Sequence, residues 1–449
     1  MTAGELAGRI RQGELTAVEV LEAHLERIAK YDPGLNAVVS LDADRAREQA
    51  AAADEAVRRK EVLGPLHGVP MTLKDGHDVA GMRTTAGTPV LDRVPERDGT
   101  VAARLRAAGA IIMGHTNVPP WWMDYKSENP IFGRTSNPWD TTRTPGGSSG
   151  GAAAALAAGL TPLEIGSDLA GSIRLPAHFC GVYGLKTTEH RVSLHGCLTP
   201  PFDGPRPVRI MGTIGPMARD LDDLELALSI IAGPDGVDGD IPPVPLGTRR
   251  RRELAGLRLA VAPALPGMDV RKPLRDQVER IAAAASDAGA QVEERLPGID
   301  WSAMNELFGA LLFTITGIFD PASELPAERR TLGWYLTALA ERDRFTAAWE
   351  AFFDGFDALL LPPALSTAFA HEATGYDPEG QMLAFANLTG QPGLVAPAGF
   401  DADGLPVGVQ LVGPRWAELT LLDIADALER GDVLPGFREP PNYALGGER

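Results

Sequence analysis

Apolar positions recur at helical spacing over residues 2 to 11 and 16 to 30, the second stretch bringing Val18, Leu21, Leu25 and Ile28 near one face. That period predicts two amphipathic helices. A short run at 36 to 41 (NAVVSL) predicts a strand, an alanine- and charge-rich stretch from about 43 to 60 a helix, and 69 to 74 (VPMTLK) a strand that ends in a lysine. A helix at 99 to 108 and a strand at 110 to 113 continue a βα rhythm, the pattern of a wound sheet covered by helices. Residues 117 to 140 carry no period and predict a long loop, a length that marks functional or disordered segments.

The second half repeats these themes. Residues 220 to 232 (DLDDLELALSIIA) predict a capped helix stopped by Gly233-Pro234. Residues 257 to 262, 273 to 289 and 290 to 295 read as βαβ, and 301 to 355 as mostly helical. A strand at 356 to 361 stops at Pro362-Pro363, and 378 to 391 is helical. Strands at 393 to 397 and 407 to 412 flank the Asp401-Ala402-Asp403-Gly404 turn, and a helix closes the chain at 416 to 430. Residues 233 to 252, rich in Pro and Gly and ending in Arg249 to Arg252, predict a solvated loop edge rather than an anion site.

Against this background residues 144 to 188 stand apart. Two serine-bearing glycine turns, Gly146-Gly147-Ser148-Ser149-Gly150-Gly151 and Asp168-Leu169-Ala170-Gly171-Ser172, place Ser148 and Ser172 24 residues apart. Between them lie AAAALAA at 152 to 158, a strong helix former, and the apolar Leu163-Glu164-Ile165 run of a short buried strand. Turn, helix, strand and turn can bring both serines to one side of a sheet, and glycine lets a ligand approach the main chain closely. A flexible Gly/Ser linker would not need those apolar segments. Gly146 to Gly150 also fits G-x-S-x-G, but the nucleophile elbow needs a hydrophobic strand before it, and 136 to 145 (SNPWDTTRTP) is polar and proline-punctuated. No Lys follows in the P-loop frame.

Composition narrows the classes. The 449 residues carry a net charge of −18, opposite in sign to what phosphate-backbone binding requires, so nucleic acid is not an expected partner. Two cysteines, Cys180 and Cys197, are too few for a disulfide framework and read as reduced thiols. The N-terminal stretch lacks a secretory pattern and no run of eighteen apolar residues occurs, so neither membrane nor export is expected and the location expected is cytoplasmic. The histidines His178, His190 and His195 show no metal-ligand spacing, so no metal is expected.

The run from Pro145 to Thr188 resembles the signature of the amidase signature family, serine hydrolases that act on carboxamides through a Ser-Ser-Lys triad. The resemblance extends through Gly64-Pro65-Leu66-His67-Gly68-Val69-Pro70-Met71-Thr72-Leu73-Lys74-Asp75, Gly215-Pro216-Met217-Ala218-Arg219 and Gly404-Leu405-Pro406-Val407-Gly408-Val409-Gln410, nearly the whole chain. It implies one α/β domain over 1–449 with a central mixed, mostly wound sheet between helices, a signature core at about 64–220 and substrate-side cover at about 233–355.

The resemblance further implies Ser172 as nucleophile, Ser148 as bridging serine after a cis Gly147–Ser148 bond, and Lys74 as general base. The backbone N–H groups of Leu169, Ala170, Gly171 and Ser172 would meet the oxyanion. Leu169 and Ala170 depart from the commoner Asp-Thr-Gly-Gly-Ser form. Ser149 is expected to support by hydrogen bonding, and Asp168 and Arg174 to brace the turn as an ion pair. Trp121, Trp122, Met123, Tyr125 and, in the irregular 191 to 214 stretch, Phe202 are candidate pocket walls. The function expected is hydrolysis of a small, apolar or aryl carboxamide without a cofactor, with a homodimer compatible. The alternatives are the glutaminase-like subunit of a tRNA-dependent amidotransferase and an esterase.

Overall fold

The computed structural model describes residues 1–61, 64–198, 208–317 and 325–444. The first two helices, α1 (Ala3–Gln12) and α2 (Ala17–Tyr31), each open with a capping box, Thr2 with Glu5 and Thr16 with Glu19. Such reciprocal bonds satisfy amide donors that a helix start leaves unpaired. A three-stranded sheet follows from β1 (Val38–Leu41), β2 (Pro70–Lys74) and β3 (Ile111–Thr116) in the order β1-β3-β2, with α3 (Ala43–Arg58) and α4 (Thr100–Ala107) between its strands. β2 runs parallel to β3, and Lys74 stands opposite Thr116 in the register.

Residues 117 to 140 are not wholly irregular. They include a 3-10 turn at Pro120–Trp122 and a small ribbon, β4 (Glu128–Asn129) with β5 (Gly133–Arg134), where Asn129 caps the turn through its side-chain oxygen. A ribbon this short leaves no alternating run of apolar residues to read.

The signature folds as turn, helix, strand, turn: α5 (Gly150–Ala157), β6 (Leu163–Asp168) and α6 (Arg174–Cys180), then β7 (Tyr183–Lys186) and β8 (Thr213–Ala218). Every residue of α5 is buried. Its small side chains allow this close packing, and a Cβ on Gly151 would lie 2.3 Å from the Asn117 backbone. β6 extends past the Leu163-Glu164-Ile165 core to carry Ser167 and Asp168.

The large sheet has eight strands in the order β10-β9-β11-β13-β12-β7-β8-β6, with β9 (Arg258–Val261), β10 (Gln291–Glu294), β11 (Ala358–Leu361), β12 (Gly393–Phe400) and β13 (Pro406–Val412). Helices flank it: α6 packs on β12 and β13, α7 (Leu221–Ile231) on β8, α8 (Lys272–Asp287) on β13 and α12 (Glu418–Arg430) on β12. The expected mixed α/β sheet is present, but its wound, parallel part is confined to β10, β9 and β11. Elsewhere neighbours run antiparallel, β12 and β13 because the 401 to 404 turn joins them directly. α9 (Trp301–Thr316), α10 (Leu332–Phe353) and α11 (Gln381–Leu388) build a second core in which Trp349 stacks on Phe385 at 4.5 Å.

Arg249 departs from expectation. Rather than edging a solvated loop, its side chain is 7 % exposed and its guanidinium sits among Asp222, Glu225, Asp423 and Asp426 at 2.6–3.6 Å. Local composition could not show this, because the carboxylates come from α7 and α12. Among the described residues no helix is long and apolar enough to cross a membrane.

Candidate active site

The site lies where the two sheets meet, with β2 packed against β6. Lys74 ends β2, Ser148 and Ser149 form the turn before α5, Ser167 and Asp168 end β6, and Ser172 stands on the turn before α6. Lys74 is fully buried, and its Nζ reaches Ser148 Oγ at 2.7 Å, Ser167 Oγ at 2.8 Å and Ser149 Oγ at 3.0 Å. Among the described residues no carboxylate lies within ion-pair distance of it. Burial drives the Lys74 pKa well below the ordinary lysine range, against the pull of Asp168, Cys197 and Glu164. The Gly147–Ser148 peptide is cis.

The Asp168 and Arg174 pair expected from the sequence is present and fully buried, with contacts of 2.9 and 3.0 Å. Burial alone would raise the Asp168 pKa, but the Arg174 charge and its hydrogen bonds overcome it and hold the carboxyl below its usual range. That carboxylate also accepts from the N–H of Gly171 at 2.8 Å and of Ile173 at 3.2 Å, so it shapes the turn that presents Ser172. Gly171 has φ 106°, and a Cβ there would lie 2.2 Å from Leu383. With the Gly171 N–H turned to Asp168, the N–H groups of Leu169, Ala170 and Ser172 are the oxyanion candidates still open.

Asn387 and Gln410 complete the brace, accepting from Arg174 at 2.5 and 2.8 Å, while Asn387 Nδ2 donates to Asp168 at 2.9 Å. Neither role was read from the sequence, although Gln410 lies inside a quoted motif. Ser167 was missed as well, since a strand serine one residue before Asp168 carries no local mark of a lysine 93 positions away. Replacing Arg174 by Met would strand the Asp168 charge in the interior. Loss of about 3–5 kcal/mol is expected, read as a fall in the urea midpoint.

Two chambers open on Ser172. The first is walled by Trp121, Trp122, Met123, Leu169, Leu194 and Cys197, with Ser148 and Ser172 in the wall. The second adds Asp124, Tyr125, Asn305, Phe308 and Tyr376, so of the expected cover α9 reaches the site. Trp121, Trp122 and Met123 line the first chamber. Tyr125 lines the second chamber and donates to Ala170 O at 2.9 Å, steadying the same turn. Of the 191 to 214 stretch, Leu194, Cys197, Leu198 and Val208 line the first chamber, and Phe202 lies outside the described residues. His178 is buried between Ser366 O and the Gly408 N–H, a packing role.

Fold and site together define an α/β protein in which a buried lysine is held by two serines of a glycine turn and a third from strand β6. The family model described as Amidase matches residues 19–314 and 310–422, and the chain belongs to this family, the amidase signature enzymes that act on amide C–N bonds. A glutamyl-tRNA(Gln) amidotransferase subunit of Thermus thermophilus is 36% identical, over 99% of this chain and 100% of the relative. Among solved structures, a bacterial aryl acylamidase superposes with a TM-score of 0.82 at 26% identity, covering 96% of each chain. The glutamyl-tRNA(Gln) amidotransferase subunit of the same name from Thermotoga maritima superposes with 0.80 at 26%, over 98% of this chain and 97% of that one.

Proposed function

We propose that this protein hydrolyses a carboxamide through an acyl-enzyme on Ser172, with Ser148 and Lys74 as proton relay. The observation that carries the reading is the seat of Lys74, a buried amine 2.7 Å from Ser148 Oγ. A lysine can act as base only while neutral, and burial favours that form. Lys74 accepts the Ser148 proton as Ser148 takes that of Ser172, and Ser172 Oγ bonds to the carbonyl carbon. The oxyanion is met by backbone N–H groups of the 169 to 172 turn, and one such donor is worth about 2.7–4 kcal/mol in a well-measured case. Ser148 then passes a proton to the departing nitrogen, the C–N bond breaks, and water repeats the relay to release the carboxylate. This chemistry requires neither metal nor cofactor.

On the identity of the amide, the name of the 36% identical relative supports a glutaminase-like subunit of a tRNA-dependent amidotransferase better than it supports a stand-alone amidase. That reading brings partner subunits and a tRNA-linked process into view, and the expectation of no nucleic-acid partner gives way with it. One observation favours the stand-alone enzyme: the first chamber is walled by Trp121, Trp122, Met123, Leu169 and Leu194, which suits an aryl or aliphatic group better than a zwitterionic amino acid. Activated esters would be cleaved on either reading.

Hydrolysis of glutamine and of a panel of aryl and aliphatic amides by the purified chain, with gel filtration alongside, separates the two. Turnover of apolar anilides by the isolated chain, with glutamine untouched, would establish the stand-alone enzyme. Glutamine turnover, or silence on every amide until partner subunits are added, would establish the amidotransferase reading.

A further inference from the structure

Trp122 lies over the lysine rather than merely beside the chamber. Its ring centroid is 4.3 Å from Lys74 Nζ, and its Nε1 donates to Asp75 O at 2.6 Å, which fixes the indole against the strand that carries the lysine. The seat is built to hold it. Gly76 faces the ring so closely that a Cβ there would lie 2.5 Å from the indole, and the His77 ring stands 5.7 Å away. Trp121 and Trp122 both take left-handed backbone angles, φ 57° and 62°, which non-glycine residues adopt only where the surroundings enforce them. Three serine hydroxyls and one indole face therefore surround Nζ.

We propose that Trp122 is a positioning residue for the reaction: its indole face closes the side of Lys74 that the three serines leave open and favours retention of the proton Lys74 takes up. The face of an indole carries negative potential, so it attracts an ammonium more than a neutral amine. Such a group opposes burial in part, leaving Lys74 a base strong enough to draw a proton through Ser148 yet able to return it to the leaving nitrogen. The other ionisable groups facing Lys74 are Asp168 and Glu164 from β6, Cys197 from the 187 to 212 segment and His77 from the turn after β2. Burial pushes the Glu164 pKa up to about 8 and lowers that of His77.

The inference rests on Lys74 as general base, and its test needs no knowledge of the substrate. A fluorophosphonate reacts at the serine: the Ser172 O–P bond forms, fluoride leaves and the serine proton passes to Lys74. The second-order labelling rate against pH should therefore show an acid limb where Lys74 loses its proton. Trp122 is replaced site-specifically by mono-, di- and trifluorotryptophan, which keep the ring shape while draining its face. The limb is expected to move stepwise to lower pH, by about half a pH unit across the series. Trp122→Leu should move it in the same direction.

Superimposable profiles across the fluorinated series, or a limb that moves upward, would overturn the proposal. Lys74→Ala, profiled alongside, separates the two possible failures. If that variant keeps the same limb, the limb does not belong to Lys74 and the base assignment falls, taking the proposal with it. If it loses the limb while fluorination leaves the parent limb in place, the base assignment stands and only the role of Trp122 falls.

Discussion

Replacing Ser172 by alanine is expected to abolish covalent labelling by a fluorophosphonate and to lower amide turnover by about three orders of magnitude or more. Ser172 sits where both chambers meet, on a turn that the Asp168 carboxylate organises through the backbone N–H groups on either side of it. Alanine removes one oxygen and leaves that scaffold intact, so the variant should keep its urea midpoint while losing labelling. The paired measurement isolates chemistry from folding. Labelling that persists on another residue, located by peptide mapping, would remove Ser172 from the nucleophile's place.

Lys74→Ala is the second large effect, and its sign with pH is specific. The parent rate rises as Lys74 loses its proton and levels off once the amine is neutral. Because burial places that loss well below the ordinary lysine range, the plateau begins at lower pH than a surface lysine would allow. Without the amine the relay must discharge to solvent base, whose supply grows with pH. The ratio of parent to variant turnover should then be greatest at neutral pH and below, about 10²–10⁴, and shrink toward alkaline pH. A variant whose pH profile parallels the parent at undiminished rate would exclude Lys74 from the proton relay.

Much of this site is legible in the sequence. Glycine turns, an alanine-rich helix and a short buried strand are local features, and their order allows Ser148 and Ser172 to come to one side of a sheet. Lys74 needed the family resemblance of its Gly64 to Asp75 stretch, because a strand-ending lysine otherwise reads as a surface residue. What stayed hidden depends on contacts between distant segments. Ser167 matters only because β2 docks on β6, and Asn387 only because α11 reaches the Asp168 and Arg174 pair. Arg249 looked like loop edge until α7 and α12 converged on it. The three-stranded sheet was hidden for the same reason, since the pattern of β1, β2 and β3 shows strands but not which sheet they join.

The division of the site between two sheets bears on how its activity should be lost under stress. The amine arrives on the small sheet, Ser167 on β6 of the large one, and Ser148 and Ser172 on the turns before α5 and α6, so no single sheet holds a working relay. A slip of β2 against β6 by a fraction of a residue would separate Nζ from its hydroxyls while each layer kept its own ladder intact. Catalysis in this protein is then a gauge of how the layers are seated, and in mild denaturant it should fail before circular dichroism registers any loss of sheet or helix.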